Sequence, residues 1–259
     1  MLEDFIRGGS YMFRGFGCLL RSEVRRYVII PLLLNTLLFA GAIGLAGRFL
    51  EIWLQHLTAM LPRWLEWLSY LLWPVFGLAA ALGLFYGFSL IANIVGSPFN
   101  AFLSARVEFL ASDRQPESGR GLIQDIYIAV HDEFRRILYI LWRTLLIGSL
   151  GLLLLFLPVI NIFAAFLWFA FTAWMLAMQY SDYPLSNHGV EFRAQTPLLK
   201  LHRSRLFGFG CATALCTLIP VINFIVMPAA VAGATLLWME LVPGGYNQTT
   251  LGQEKPEIS

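Results

Sequence analysis

Two short stretches decide how this chain folds: Leu157-Pro158-Val159-Ile160-Asn161 and Ile219-Pro220-Val221-Ile222-Asn223. Each interrupts a run without charge, Thr144–Ser181 and Leu206–Met239. Proline inside a helix removes a hydrogen bond and collides with the preceding turn, and asparagine favours turns. The arms before the prolines, Thr144–Leu157 and Leu206–Ile219, have 14 residues each. At 1.5 Å per residue such an arm is roughly 21 Å long, whereas a hydrocarbon core is ~30 Å thick. The runs are therefore expected to form two helical hairpins, 144–181 and 206–239. Their tips turn at Pro158/Asn161 and Pro220/Asn223 and enter the bilayer without crossing it. Two tight hairpins of full spans in a thin membrane are the alternative.

Working outward, two further uncharged runs appear, Tyr27–Gly47 with 21 residues and Leu68–Ala105 with 38. The first fits one crossing. The second is too long for one, and it carries Pro74 near its start and Gly96-Ser97-Pro98 near its end. Spans at about 27–47 and 75–95 are expected, with Ser97-Pro98 as the N-cap and first-turn proline of a new helix. Between Arg106 and Arg143, Ile123, Tyr127, Val130, Phe134, Ile137/Leu138 and Leu141 recur at steps of three and four, away from Asp125, Asp132 and Arg136. That period marks an amphipathic helix, which is free to continue into the next oily run. Asp113–Gly121 is a loop by composition, and 243–259 is a polar tail. The expected fold class is an all-α integral membrane protein: one membrane domain, 1–242, with two long transmembrane helices, two hairpins and a cytoplasmic helical insert over 97–143.

Composition agrees. Of 259 residues, 58% are hydrophobic and 13% charged, and the mean hydropathy is +0.68. A soluble domain is roughly 25% charged, so a soluble globular enzyme and a disordered chain are excluded. A net charge of +2 excludes a nucleic-acid partner. Sixteen of the 18 Lys and Arg fall on one side of this layout, and two, in Arg48–Glu66, on the other. The positive-inside rule makes the rich side cytoplasmic, with both termini there. Trp53, Trp64, Trp67 and Trp73 cluster near the opposite boundary, as an aromatic belt would. The charges before residue 27 leave no apolar core for a cleavable signal peptide. Cys18, Cys211 and Cys216 have neither disulfide nor zinc spacing.

The chemistry is sparse. No catalytic or nucleotide fingerprint is present, the four histidines do not pair at metal-ligand spacing, and no Asp, Glu, Lys, Arg or His lies inside the oily runs. Neither a cofactor nor a metal is implied. A small charged solute is the stronger reading. Moving an ion-sized charge into low dielectric costs on the order of 20 kcal/mol, so a charged solute needs a protein-lined wet path. Two spans and two short hairpins cannot enclose one, which implies a homo-oligomer within the lipid bilayer. Arg25 and Arg26 fall in the first turn of a helix beginning near Ser22, where unpaired N–H groups and the dipole attract anions. Arginine's fork suits tetrahedral oxyanions, although Glu23 would itself occupy the positive helix end. A topology signal is the competing reading of the arginine pair. Asn35, Asn93, Asn161 and Asn223 either line a path or bond across helices. Arg106 and Glu108 either gate an ion or mark the return to water.

Several motifs are together similar to the CysZ sulfate permease family. They are Trp67-Leu68-Ser69-Tyr70-Leu71-Leu72-Trp73-Pro74, Pro98-Phe99-Asn100, Asp182-Tyr183-Pro184 with Asn187-His188, Gly233-Ala234-Thr235 after Met227-Pro228, and Arg25-Arg26-Tyr27-Val28-Ile29-Ile30-Pro31. The resemblance covers about residues 10–240. It implies sulfate uptake across the bacterial inner membrane for cysteine biosynthesis, by a multimer with two partly inserted hairpins. It also implies a sulfate site at Arg25 and Arg26 with the amides around Val24. Asn100, Arg106, Glu108 and Asn35 are the candidates for the path or its gate. Glu23 stands where the family often has glycine, and Ala105 where relatives can show glutamate. A membrane-shaping protein with no transport activity is the second reading. A lipid-modifying enzyme using His188 and Glu191 is the third.

Overall fold

The computed structural model describes residues 1–59, 67–113, 122–155, 161–190 and 192–242. Eight helices are found among them: α1 Leu2–Leu19, α2 Ser22–Ala59, α3 Leu68–Ser112, α4 Leu122–Leu155, α5 Asn161–Asn187, α6 Phe192–Leu201, α7 Arg203–Thr217 and α8 Pro220–Leu241. No strand occurs among the described residues. The protein is all-α, as its runs of apolar residues without strand alternation require. Among the described residues, three helical segments are long and apolar enough to cross a bilayer: Ser22–His56, Phe163–Asn187 and Pro220–Leu241.

The chain divides into two compact units, Met1–Val28 with Ser97–Ser259, and Ile29–Gly96. In the second, the long arms of α2 and α3 carry large apolar residues outward, with Leu37 69%, Leu45 60% and Leu78 63% exposed. Trp53 and Trp67 are exposed too, in keeping with a belt, while Trp64 lies outside the described residues. An apolar cavity of about 370 Å³ lies among Phe49, Trp53, Phe76, Ala79 and Gly83.

The first unit is a bundle in which α1 packs on α7 and α8, α5 on α7 and α8, and α4 on α5. Gly8 of α1 and Gly208 of α7 make a reciprocal close approach. A Cβ on Gly8 would collide with the Arg205 carbonyl oxygen, and one on Gly208 with that of Phe5. Backbones meet this closely only where no side chain intervenes. Tyr11, Met12, Phe209 and Ala229–Ala232 fill the core around this contact. An Asp4–Arg205–Glu240–Arg7 chain of ion pairs ties α1 to the bundle's rim. The sequence reading had no helix over 2–19, although Tyr11, Phe16 and Leu19 with Gly8 and Gly15 supply its inner face.

One expectation is corrected, and two further findings go with it. Helix α3 does not restart at Ser97-Pro98; it runs unbroken from Leu68 to Ser112. A proline costs a helix about 3 kcal/mol, but ending there would strand up to four amides and four carbonyls, for which Ser97 offers one cap. The amphipathic half of α4 is also turned inside out relative to a soluble helix. Tyr127, Phe134, Leu138 and Leu141 are 49% to 70% exposed, while Arg136 is 2% exposed. The helix continues unbroken into the oily run, as its sequence allowed. Lastly, the polar segment after Ser181 is largely helical, with α5 reaching Asn187 and α6 following.

The second hairpin turns where its motif stands. Helix α7 ends at Thr217, Ile219 is the N-cap of α8, and Pro220 is its first-turn proline. The Asn223 amide donates to the Ile219 carbonyl at 2.9 Å. In the first hairpin α5 begins at Asn161, while Pro158 lies outside the described residues. So does the 243–259 tail, and the loop beyond Asp113 through Gly121.

Candidate functional site

The turn between α1 and α2 positions the arginine pair. The Arg21 amide donates to Cys18, and the amides of Val24 and Arg25 both donate to the Arg21 carbonyl, at 3.1 and 3.2 Å. Val24 is fully buried and pins the first turn of α2 to the core. The amides expected to cradle an anion around Val24 are therefore already used, because the chain enters α2 through a tight turn rather than an open one. Glu23 stands exposed in the first turn of α2, within the field of Arg106 and Arg21. Arg25 and Arg26 are exposed and have no ion pair among the described residues. The Arg26 guanidinium lies 5.0 Å from the Tyr27 ring centroid, a cation–π contact that leaves its fork edge open.

The second half of α3 carries the other predicted residues. Ser97, Asn100, Ser104 and Glu108 fall at steps of three and four, so they share one helix face, and all are buried. Each of the last three meets a partner from another segment. Asn100 Nδ2 donates to the Tyr183 hydroxyl at 3.2 Å and points at Met227 Sδ at 3.6 Å. Ser104 and Thr235 hydroxyls lie 2.8 Å apart. Glu108 Oε1 is 2.8 Å from His188 Nε2, while its Oε2 is buried without a partner among the described residues. Asn187 Nδ2 donates to the Ala101 carbonyl. Arg106 lies over the Phe109 ring at 5.2 Å, with its Nε buried and unpartnered among the described residues. Asn35 belongs to the other unit, and its Oδ1 is shielded without a partner there. The Asn223 side chain is exposed.

Behind this stripe lies a group that the sequence did not reveal. Arg136, from α4, donates through Nη1 to Asp182 Oδ2 at 2.6 Å and to the Gln179 carbonyl at 3.2 Å. Its Nη2 donates to the Tyr183 hydroxyl at 3.3 Å, and its guanidinium sits 4.9 Å from that ring's centroid. Asp182 Oδ1 accepts from Gln195 at 2.6 Å and Ser186 at 3.1 Å. A buried ion is tolerable only when paired and hydrogen-bonded in this way. Among the described residues no cluster of His, Cys, Asp and Glu could hold a metal.

Comparison with known proteins now bears on the arrangement. The profile of the family described as "Sulfate transporter CysZ/Etoposide-induced protein 2.4" matches residues 11–228. The chain belongs to this family. It is 41% identical over 243 residues to the Sulfate transporter CysZ of Pseudomonas fluorescens (strain Pf0-1), covering 92% of this chain and 95% of that protein. Similarity to the proteins of the same name is 40% over 237 residues for Pseudomonas aeruginosa (strain LESB58), covering 90% and 95%. It is 39% over 234 residues for Vibrio cholerae serotype O1 (strain M66-2), covering 90% and 92%. As a CysZ-family member the chain is a membrane transport protein, and the lipid-modifying enzyme reading of His188 and Glu191 is set aside. His188 is instead the partner of Glu108.

Proposed function

We propose that this chain moves sulfate across the cytoplasmic membrane of a bacterium, supplying sulfur for cysteine biosynthesis. The observation that carries the reading is the 41% identity, over nearly the whole chain, to a protein named for sulfate transport. The membrane-shaping alternative has no comparable support. Sulfate is captured at the mouth of α2 by the exposed forks of Arg25 and Arg26, beside the buried anchor Val24. Bidentate guanidinium–oxyanion bonds supply the affinity. Glu23 acts as a resident competitor, since its carboxylate stands in the same first turn of α2 as the two arginines. Transfer proceeds along a polar route that includes Asn100, Arg106 and Glu108, and several copies of the chain build it together; Asn35 is the candidate polar point of the long-helix unit, taken by itself. Both termini face the cytoplasm, and the two hairpins enter the bilayer only in part.

Purified protein in liposomes tests this. Radiolabelled sulfate influx is expected in vesicles containing this protein alone. Arg25→Ala with Arg26→Ala should weaken sulfate binding by about a hundredfold or more, the loss of two charge-assisted contacts of about 1.5 kcal/mol or more each. Glu23→Gln should tighten it, because the competing carboxylate is gone. Absence of flux with correctly folded wild-type protein overturns the reading.

A further inference from the structure

We infer that Asn100, Arg136 and Tyr183 form a second oxyanion station inside the bundle, whose acceptor position is filled by the Tyr183 phenol oxygen when no anion is bound. The inference deepens the sulfate reading and rests on it.

Two donors from distant parts of the chain converge on that one oxygen. Asn100 Nδ2 arrives from α3 at 3.2 Å and Arg136 Nη2 from α4 at 3.3 Å. Asn100, Arg136 and Tyr183 are 6%, 2% and 4% exposed, so the cluster is shielded from bulk water. Shielding strengthens any charge–dipole contact made there. A phenol oxygen is a poor match for what surrounds it. It is neutral and accepts two hydrogen bonds at long range, while its own O–H is left to donate. A guanidinium bonds roughly twice as strongly to an ionised acceptor as to a neutral one.

Asp182 does not fill the same role. It takes Arg136 through Nη1, and its other oxygen is occupied by Gln195 and Ser186. The pair therefore fixes the guanidinium in place and leaves Nη2 directed at the Asn100 amide's target. If Tyr183 swings aside, an anionic oxygen at its position receives the Asn100 amide and Nη2 in the geometry already built. Asn100 also stands in the Ser97–Asn100–Ser104–Glu108 stripe, so the station shares a residue with the face assigned to the route. Met227 Sδ, the other group near Nδ2, is too weak an acceptor to compete.

The test uses full-length protein in liposomes of one defined lipid composition, with sulfate influx measured over a concentration series and normalised to folded protein. Tyr183→Phe keeps the ring and removes the competing oxygen. The half-saturating sulfate concentration should fall by about threefold or more, a shift in the direction that loss of structure would not give. Asn100→Asp, nearly isosteric, places a carboxylate where the anion must sit, and should cut flux about tenfold while sulfate binding at Arg25 and Arg26 stays within about twofold. Where Asn100→Asp fails to fold, Tyr183→Phe alone decides. An unchanged or raised half-saturation in Tyr183→Phe overturns the station. Wild-type flux with both variants like wild type overturns the station alone, whereas no wild-type flux overturns the transport reading and the station with it.

Discussion

The two compact units use apolar residues in opposite ways. In the bundle of 1–28 and 97–242, oil is covered by protein: 56% of the apolar window of α8 is buried. In the unit 29–96 it is not. The apolar window of α2 has none of its residues buried, although its hydropathy is the higher of the two, 2.2 against 1.9. Hydropathy thus measures what a helix can leave in lipid, and says nothing of whether lipid or protein covers it. The polar residues divide the same way. The bundle gathers its charges and amides into shielded pairs, whereas the described part of the long-helix unit has one shielded and unpartnered amide oxygen, on Asn35. Stability should reside in the bundle, and the long helices should tolerate substitution.

That contrast can be broken most sharply at the Arg136–Asp182 pair. Asp182→Ala removes the carboxylate bound at 2.6 Å by the buried Arg136 guanidinium, and should cost about 3–5 kcal/mol, read as a large drop in detergent unfolding midpoint. Leu37→Ala, on the exposed face of the long-helix unit, should stay within about 0.5 kcal/mol. Equal losses from the two changes would erase the distinction between the units. The next effect is steric. Gly208→Val drives a branched side chain into the Phe5 carbonyl and must separate α1 from α7, at an expected cost of about 1–3 kcal/mol or more. Gly83→Val, where a Cβ meets open space, should not disturb folding comparably.

Much of this architecture was legible and some was not, for physical reasons. The second PVIN motif located its turn because proline at the first helical position and a short polar residue act locally. The arginine pair at the start of α2 was legible for the same reason. The unbroken α3 was not, since Ser97-Pro98 is a good local start signal, and the stranded backbone groups that outweigh it depend on surroundings. Helix α1 was hidden by its charges: Glu3, Asp4, Arg7 and Arg14 mask the spacing of Tyr11, Phe16 and Gly8. Nothing near Arg136 in sequence points to Asp182, 46 positions away. A period of three and four placed Arg136 on a polar face, but in a membrane protein that face can be the inner one.

The smallest expected effect concerns the rim where α1 meets α7. His202, the N-cap of α7, lines a cavity of about 330 Å³ with the Met1 amine, Asp4, Arg203, Arg205 and Glu240. Partial burial, and then the nearby Arg205 charge, push its pKa below the ordinary histidine value, with Asp4 opposing. The folded protein thus prefers neutral His202, and the unfolded chain binds the proton first. This contribution is complete above about pH 6.5 and is lost as pH falls from there toward the depressed folded value. Asp4 acts separately and lower. The hydrogen bond from Arg205 holds its carboxyl below the usual aspartate value of 3.8, so its contribution disappears only in more acid solution. Between about pH 7.5 and about pH 5.5, wild-type protein should therefore lose slightly more thermal stability than His202→Gln, which cannot take up a proton. The difference should shrink in Arg205→Gln, which removes one of the two groups pushing the histidine down. It would reverse sign if His202 were charged in the fold, and a reversal would mean that Asp4, rather than burial, governs this edge of the bundle.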